Sequence, residues 1–275
     1  MKIVTDTSTL YSPKEGQELG ITVLPLCVTV NKKTYREFVD IDSQQFLQLV
    51  KEGIPSSSQP PAGEFLEIFE NKDEDILVIS MADGLSGTYQ SAVGMKNSLD
   101  ENDHIHIINT KTLCGPHRYL VQKALTLKKE KKTLDEIKEE LHNSIQTVKS
   151  FLIPQDFDFL RRGGRLTPLA AKIGSLLKIV PVLIQTEDGK RLEKFAMKRT
   201  MSGAINEIIK HFKSAQINED YRIYISHAGV LEKAQEVKEQ LQKHFQNIAI
   251  ELLDLSPAFI TQGGPECIAI QIIKS

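Results

Sequence analysis

The sequence predicts an α/β protein with a parallel, doubly wound sheet in its first half and a mixed sheet in its second half. Short apolar segments alternate with amphipathic helical patterns as far as Val148, which is typical of a parallel sheet covered by helices. Beyond that point Asp188-Gly189 separates two extended segments, and this dipeptide is a strong signal for a hairpin. We therefore expect one domain over residues 1–150 and a second over residues 151–275, each large enough for its own core.

The composition is that of a globular protein and disfavours several classes of function. The chain has 275 residues, of which 40% are hydrophobic, and a net charge of −2. It lacks the basic excess of proteins that bind nucleic acid or a membrane surface, and the absence of tryptophan disfavours base stacking. Three scattered cysteines indicate a reducing compartment. With neither a signal peptide nor a membrane span predicted, we expect a cytoplasmic protein.

The first half opens on an apolar strand over residues 2–5, followed by the polar turn Asp6-Thr7-Ser8-Thr9. Its other elements are predicted in chain order: an extended segment over 21–30 interrupted at Pro25, a helix capped by Asp42 and ended by Gly53, a Ser- and Pro-rich loop over 56–61, a helix over 63–70, strands over 76–80 and 104–108, and helices over 118–128 and 134–148. Helix limits follow from cap residues and from apolar positions three or four apart.

The second half mixes hairpins with crossovers, which predicts a mixed sheet. Its elements are expected in this order: a strand over 150–154, helices over 156–162 and 169–177, strands over 179–185 and 191–197, a helix over 199–212, a strand over 222–226, a helix over 230–245, and strands over 248–255 and 267–273. The helix over 199–212 places its isoleucines and Phe212 on one face, which is the pattern of a helix packed on a core.

The most informative stretch covers residues 76–92, where an apolar strand leads into the turn and helix start Ser86-Gly87-Thr88. Free backbone amides at a helix start, together with the helix dipole, suit a carboxylate or a phosphate. The alternative is that Ser86 or Thr88 only caps the helix. Ligands of parallel sheets gather at the carboxyl ends of the strands, where the turns at Asp6 and Asn109 should also lie.

Other kinds of chemistry are weakly supported. His104 and His106 alternate on a strand without a third metal ligand, so no metal site is predicted, and no glycine-rich or Walker nucleotide motif is present. The enzymatic alternative is an acyl hydrolase with Ser86 as nucleophile, His227 or another histidine as base, and a carboxylate such as Asp83 as the group that orients the base. Against it, the segment around Ser86 lacks the second glycine of a Gly-x-Ser-x-Gly elbow.

Several motifs, taken in order, resemble those of the DegV family, bacterial proteins that bind one fatty acid in a buried tunnel. They are Asp6-Thr7-Ser8, Ser57-Ser58-Gln59-Pro60, Leu85-Ser86-Gly87-Thr88-Tyr89-Gln90-Ser91-Ala92, Gly163-Gly164-Arg165, Lys198-Arg199-Thr200 and His227-Ala228-Gly229. The resemblance covers essentially the whole chain.

The resemblance implies a two-domain fold with an N-terminal α/β/α domain of three layers and a C-terminal domain whose mixed sheet lines the tunnel. One long-chain fatty acid would lie between the domains without a cofactor, and the protein itself would not be an enzyme. The residues implied in carboxylate binding are Ser57, Gln59, Ser86, Gly87, Thr88 and Gln262. An acyl chain suits a dry tunnel, because each buried methylene contributes about 0.8 kcal/mol.

Some members of the family carry the acyl group for a separate fatty-acid kinase. The resemblance then implies a head-group or partner region at Gly163, Gly164, Arg165 and Arg199. In that role a histidine of a C-terminal turn lies near the head group, and here Gln262 takes its place. Glutamine donates and accepts hydrogen bonds but carries no charge, so fatty-acid binding is expected and the use of a kinase partner is left open.

Overall fold

The computed structural model describes residues 1–172 and 179–275, and its first half is built on a four-stranded parallel sheet. A single-turn 3-10 helix, Thr7–Thr9, follows the first strand. The other elements of this half are β1 (Lys2–Asp6), α1 (Pro13–Leu19), β2 (Thr22–Leu24), β3 (Cys27–Val30), β4 (Lys33–Arg36), α2 (Ser43–Leu49), β5 (Ser56–Ser58), α3 (Ala62–Phe69), β6 (Ile76–Ser80), α4 (Thr88–Asn97), β7 (Ile105–Asn109), α5 (Cys114–Lys129) and α6 (Leu134–Ile145).

The parallel sheet has the strand order β2-β1-β6-β7 and is covered by helices on both faces. Side chains alternate along β6, so Val78 packs against Phe65 of α3 on one face. Leu77 packs with Leu120 of α5 on the other face. A strand buried on both faces must be apolar throughout, which is why residues 76–80 could be recognised from sequence. The three-layer arrangement predicted for this half is confirmed.

The second half forms a six-stranded mixed sheet in the order β10-β9-β8-β13-β11-β12, in which only β11 and β12 pair in parallel. Its elements are β8 (Lys149–Ile153), α7 (Phe157–Gly163), α8 (Pro168–Ala171), β9 (Val180–Gln185), β10 (Leu192–Lys198), α9 (Met201–Ser214), β11 (Tyr221–His227), α10 (Leu231–Gln242), β12 (Ala249–Asp254), α11 (Pro257–Gly263) and β13 (Ile268–Lys274). Helices α9 and α10 pack on one face through Ile205, Ile208 and Val237. The predicted mixed sheet and the hairpin at Gly189 are confirmed.

Some elements differ from the sequence prediction. The predicted loop over residues 56–61 is wrong at its start, because Ser56–Ser58 pairs with β3 as strand β5. Helices α1 and α11 were not predicted, although Ser12-Pro13 and Ser256-Pro257 carry the cap and first-turn residues of a helix start. Of the helix predicted over 169–177, α8 covers the beginning, and residues 173–178 lie outside the described part of the chain.

The two halves share part of their core. Tyr224 of β11 and Ile273 of β13 lie in the same apolar cluster as Leu77 and Leu120. All six strands of the mixed sheet follow Val148 in the sequence. The division into domains at residue 150 stays a prediction, since a shared cluster does not show whether either half folds alone.

A buried carboxyl group also joins the halves. Glu37 follows β4 and is fully shielded from solvent. One carboxyl oxygen accepts a hydrogen bond from Thr7 Oγ1, and the other accepts one from the backbone N–H of Ala258 at 2.9 Å. The Thr7 hydroxyl in turn accepts from the Leu26 N–H. Burial raises the pKa of Glu37 to about 7, so the folded chain holds this proton more tightly than the unfolded chain does.

We expect this proton to make stability depend on pH in a defined direction. Between the ordinary pKa of 4.5 and the folded pKa of about 7, the folded state binds more protons than the unfolded state, so stability falls as pH rises. The free energy of unfolding of the wild-type chain, relative to Glu37→Gln, should drop by roughly 3 kcal/mol across this window. Urea unfolding of both chains from pH 4 to pH 8 measures the difference. Glu18→Gln, at an exposed position, is the control, and a wild-type-minus-Glu37→Gln difference that stays constant with pH would contradict the prediction.

Candidate ligand-binding site

A cavity of about 190 Å³ lies between the turns at the carboxyl edge of the parallel sheet and one face of the mixed sheet. A single buried water needs only ~10–15 Å³ on the same measure, so the cavity has room for a much larger molecule. The turn after β6 contributes Met81, Leu85, Ser86 and Gly87, and β8 and β13 contribute Leu152 and Ala269. Helix α11 closes the cavity with Ala258, Phe259 and Gln262.

The polar turns of the parallel sheet meet at this edge, as the strand pattern predicts. The Asp6 carboxylate accepts hydrogen bonds from the Ser8 N–H at 2.9 Å and from the Met81 N–H at 3.3 Å. The Ala82 N–H donates to the Thr112 carbonyl at 2.9 Å. These bonds fix the turn after β6 from both sides. The Ser86 N–H in turn donates to the Ala82 carbonyl at 3.2 Å, so Ser86 is bonded to this fixed part of the turn.

Ser86 lines the cavity just before the first turn of α4. Its Oγ accepts a hydrogen bond from the Thr88 N–H at 3.3 Å and lies 2.8 Å from Thr88 Oγ1. When the Thr88 hydroxyl donates in that pair, the hydroxyl hydrogen of Ser86 is free to donate to a ligand. Ser86 thus takes part in helix capping and can also bind an anion, so the two alternatives from sequence are compatible.

A second hydroxyl reaches the cavity from β5 and is held by α11. Gln262 Nε2 donates to Ser57 Oγ at 3.0 Å. Gln262 Oε1 is buried and has no hydrogen-bond partner among the described residues. It lies against Gly163 so closely that a Cβ atom at Gly163 would come within 2.1 Å of it. The absence of a side chain at residue 163 therefore allows α7 to approach Gln262.

Arg165 supplies positive charge to the same end of the cavity. Its Nε donates to the Leu85 carbonyl at 3.1 Å, and its Nη1 donates to the Gly163 carbonyl. In the described ranges no carboxylate lies within 4.0 Å of its guanidinium group. Burial lowers the pKa of Arg165, but arginine stays charged in proteins. A half-buried cation whose hydrogen bonds to the described residues all go to carbonyl groups favours an anionic ligand.

The other residues named from sequence lie at varied distances from this end. Gln59 and Gly87 line the cavity beside each other, since a Cβ atom at Gly87 would be 2.7 Å from Gln59 Oε1. Thr88 is buried behind Ser86. Gly164 ends α7 in the left-handed conformation, with a φ of 70°. Arg199 is exposed between β10 and α9 and is not among the cavity-lining residues, so a role in contacting a partner stays a prediction.

The rest of the cavity wall is mainly apolar. Its larger apolar residues include Leu26, Met81, Leu113, Leu152, Leu255 and Phe259. Cys114 and Cys267 also line it as free, buried thiols, and burial raises the pKa of Cys267 to about 12. Neutral thiols of this kind act as small apolar side chains. The wall therefore provides an apolar space next to the polar end.

Three polar cavity residues were missed from sequence: Ser150, Gln185 and Gln271. They lie on the strands of the mixed sheet, away from the recognisable turns. A signal was available for Gln271, which stands between Ile270 and Ile272 in an otherwise apolar strand. Its position on the wall depends on strand pairings that the sequence does not reveal.

The described part of the cavity wall contains neither histidine nor carboxylate. His227, the base of the hydrolase alternative, is not part of it, and His227 Nδ1 lies 3.4 Å from Asp254 Oδ1. A search of the described residues finds no group of three or more histidine, cysteine or acidic side chains able to hold a metal ion. In the same ranges, every helix is too short or too polar to cross a bilayer.

Comparisons with known proteins agree over the whole chain. The family model for the DegV family of uncharacterised proteins matches residues 1–275. The DegV domain-containing protein YteA of Lactococcus lactis is 31% identical over 278 residues, which cover 98% of this chain and 96% of that protein.

Two solved structures have the same fold as this chain. The crystal structure of DegV, a fatty acid binding protein from Bacillus subtilis, has a TM-score of 0.85 at 28% identity and covers 100% of this chain and 99% of its own. A fatty acid binding DegV family protein from Streptococcus agalactiae has a TM-score of 0.88 at 25% identity, and the match covers 100% of this chain and 98% of that protein.

The close approach of Gly163 to Gln262 can be tested by adding one methyl group. In Gly163→Ala the new Cβ would collide with Gln262 Oε1, so the amide must move and lose its bond to Ser57. We expect a destabilisation of about 1 kcal/mol, the usual contribution of one hydrogen bond, measured by urea unfolding. Gly94→Ala is the matched control, because nothing lies within 4 Å of a Cβ there; it should be stabilising by ~0.5–1 kcal/mol. Equal effects of the two substitutions would count against the contact.

Proposed function

The chain belongs to the DegV family, and we propose that it binds one long-chain fatty acid in the cavity between its two domains, residues 1–150 and 151–275. The carboxylate lies at the end formed by Ser57, Ser86 and Arg165, and the acyl chain lies along the apolar wall. The observation that carries the proposal is the combination of the half-buried Arg165 cation, which has no carboxylate partner among the described residues, and a contiguous apolar space. Fatty-acid binding by the Bacillus subtilis and Streptococcus agalactiae relatives supports it.

The polar end matches a carboxylate in both charge and hydrogen bonding. Ser86 provides a hydroxyl next to the amides at the start of α4, and Arg165 provides positive charge beside Leu85. Hydrogen bonds between an ionised group and such donors are stronger than neutral ones. Gln59, Gly87, Thr88 and Gln262 complete or support this end in the proposal. The ligand therefore needs no metal or other cofactor to hold its charge.

An acyl hydrolase is the less supported function. Its nucleophile needs a base within hydrogen-bond reach, and the hydroxyl of Ser86 is next to Thr88 rather than to an imidazole. No histidine belongs to the described cavity wall. The geometry around Ser86 therefore favours a hydrogen-bond donor over a nucleophile, and we propose that the protein binds its ligand without converting it.

The first test is the lipid content of the purified protein. Mass spectrometry of an organic extract should detect one long-chain fatty acid per chain, either as purified or after incubation with a fatty-acid mixture. Ser86→Ala should weaken fatty-acid binding by about ten- to a hundredfold, because a hydrogen bond to a charged group contributes ~1.5–3 kcal/mol. Ser98→Ala, at the exposed end of α4, is the control and should bind like the wild-type chain.

Two results would count against fatty-acid binding as the function. One is the absence of stoichiometric fatty acid from folded protein under both loading conditions. The other is turnover of acyl esters by the wild-type chain that disappears in Ser86→Ala, which would favour the hydrolase. Circular dichroism of each variant confirms that it is folded before its affinity is compared.

We also propose that the bound carboxyl group is presented to a separate fatty-acid kinase. Gln59 and Gly87 line the polar end of the cavity and are exposed to solvent, so a partner can reach this end. With ATP and a bacterial fatty-acid kinase, the loaded protein should yield acyl phosphate. Gln262→His should raise that rate, because an imidazolium can carry positive charge next to the reacting carboxylate and an amide cannot. If neither chain yields acyl phosphate despite confirmed loading, the role is limited to binding.

A further inference from the structure

A polar row crosses the otherwise apolar floor of the cavity. Gln271 of β13 pairs with Ser150 of β8. On the other side of β8, Phe151 pairs with Ile184 of β9, so the antiparallel register places Gln185 beside Ser150. All three polar residues line the cavity. Because side chains alternate along a strand, the next positions on this face are two residues away and include Leu152 and Ala269.

Hydrogen bonds fix the orientation of the central pair. Gln271 Nε2 donates to the Leu113 carbonyl and to Ser150 Oγ, both at 3.0 Å. The carbonyl can only accept, so the nitrogen of the amide must face it. Gln271 Oε1 is then left without a partner among the described residues, although Gln271 is only 1% exposed. Ser150 Oγ accepts from Gln271, which leaves its hydroxyl hydrogen free to donate.

The pair formed by Gln271 and Ser150 lies away from Gln262. Gly263, next to Gln262, packs on Cys267, since a Cβ atom at Gly263 would be 2.6 Å from Cys267 Sγ. Gln271 of β13 is four residues beyond Cys267, and at a rise of ~3.3 Å per residue this separation is about 13 Å. Ala269 lies between the two points on the same face. An acyl chain whose carboxylate lies beside Gln262 therefore reaches Gln271 and Ser150 well beyond its first carbons.

We propose that the cavity selects a fatty acid with an uncharged hydrogen-bonding group, such as a hydroxyl, in the middle of its acyl chain. This inference rests on the proposed function and names the class of fatty acid. A hydroxyl is both a donor and an acceptor. It can therefore donate a hydrogen bond to Gln271 Oε1 and accept one from the Ser150 hydroxyl. A plain methylene chain would cover both groups without pairing them, and such unpaired groups are costly when buried.

A comparison of ligands tests the inference on the wild-type chain. After removal of bound lipid, the affinity for octadecanoic acid is compared by calorimetry with the affinities for octadecanoic acids that carry one hydroxyl at successive carbons. At least one mid-chain isomer should bind about tenfold more tightly than the plain acid, and isomers with the hydroxyl next to the carboxyl group should not. A plain acid that binds as tightly as every isomer would overturn the inference but leave fatty-acid binding intact. Failure of all the acids to bind folded protein would overturn the proposed function itself.

A substitution at Gln271 tests whether the polar row causes the preference for a mid-chain hydroxyl. Gln271→Met keeps the length of the side chain and removes its amide, so the preference for the mid-chain hydroxyl should fall about tenfold while the plain acid binds at least as tightly as before. Gln246→Met, at an exposed position, should keep the wild-type preference. A preference that is unchanged in Gln271→Met would show that the row does not recognise the hydroxyl. The wild-type comparison remains decisive if Gln271→Met does not fold.

Discussion

The hydrogen bonds of the buried Glu37 carboxyl group hold the two halves of the cavity together. This side chain connects Thr7, at the carboxyl edge of the parallel sheet, with the first turn of α11. The backbone N–H groups of a first helical turn have no partner within their own helix, and Glu37 provides one for Ala258. Helix α11 carries Ala258, Phe259 and Gln262 into the cavity wall. One of the contacts that position the candidate site therefore joins residues that are 221 positions apart in the sequence.

Once α11 is fixed, close packing determines the polar end. Gln262 can reach Ser57 only because Gly163 leaves room for its amide. Arg165 follows on the same segment and binds the carbonyl of Leu85, next to Ser86. The end of α7 and the residues after it thus contact both Gln262, which binds Ser57 of β5, and the turn that carries Ser86. A site assembled in this way combines two hydroxyls and one cation without using a buried acidic group as a counter-ion.

Local sequence patterns predicted the parts of the protein in which neighbouring positions along the chain determine the residue types. Residues 76–80 were recognised because both faces of β6 are buried, and the turn at Ser86 followed from the strand and helix around it. Ser56–Ser58 was mistaken for a loop because its strand exists only through pairing with β3. The positions of Gln271 and Ser150 on one wall require strands that are not consecutive in sequence to pair. Non-local pairing and the long-range bond of Glu37 leave no periodic signal, so the sequence alone could not place them.

In the proposed complex, the glutamine at residue 262 determines how the charge of the ligand carboxylate is balanced. An amide does not titrate, so the positive character of this end rests on Arg165 and on the start of α4. Arginine keeps its charge across the physiological range, whereas a histidine here would gain or lose charge near neutral pH. The hydrogen bond from Gln262 to Ser57 contributes orientation rather than charge. In the proposed complex, carboxylate binding at this end does not depend on protonation of residue 262. Glu37, whose pKa is raised to about 7 by burial, instead accepts a hydrogen bond from the first turn of α11.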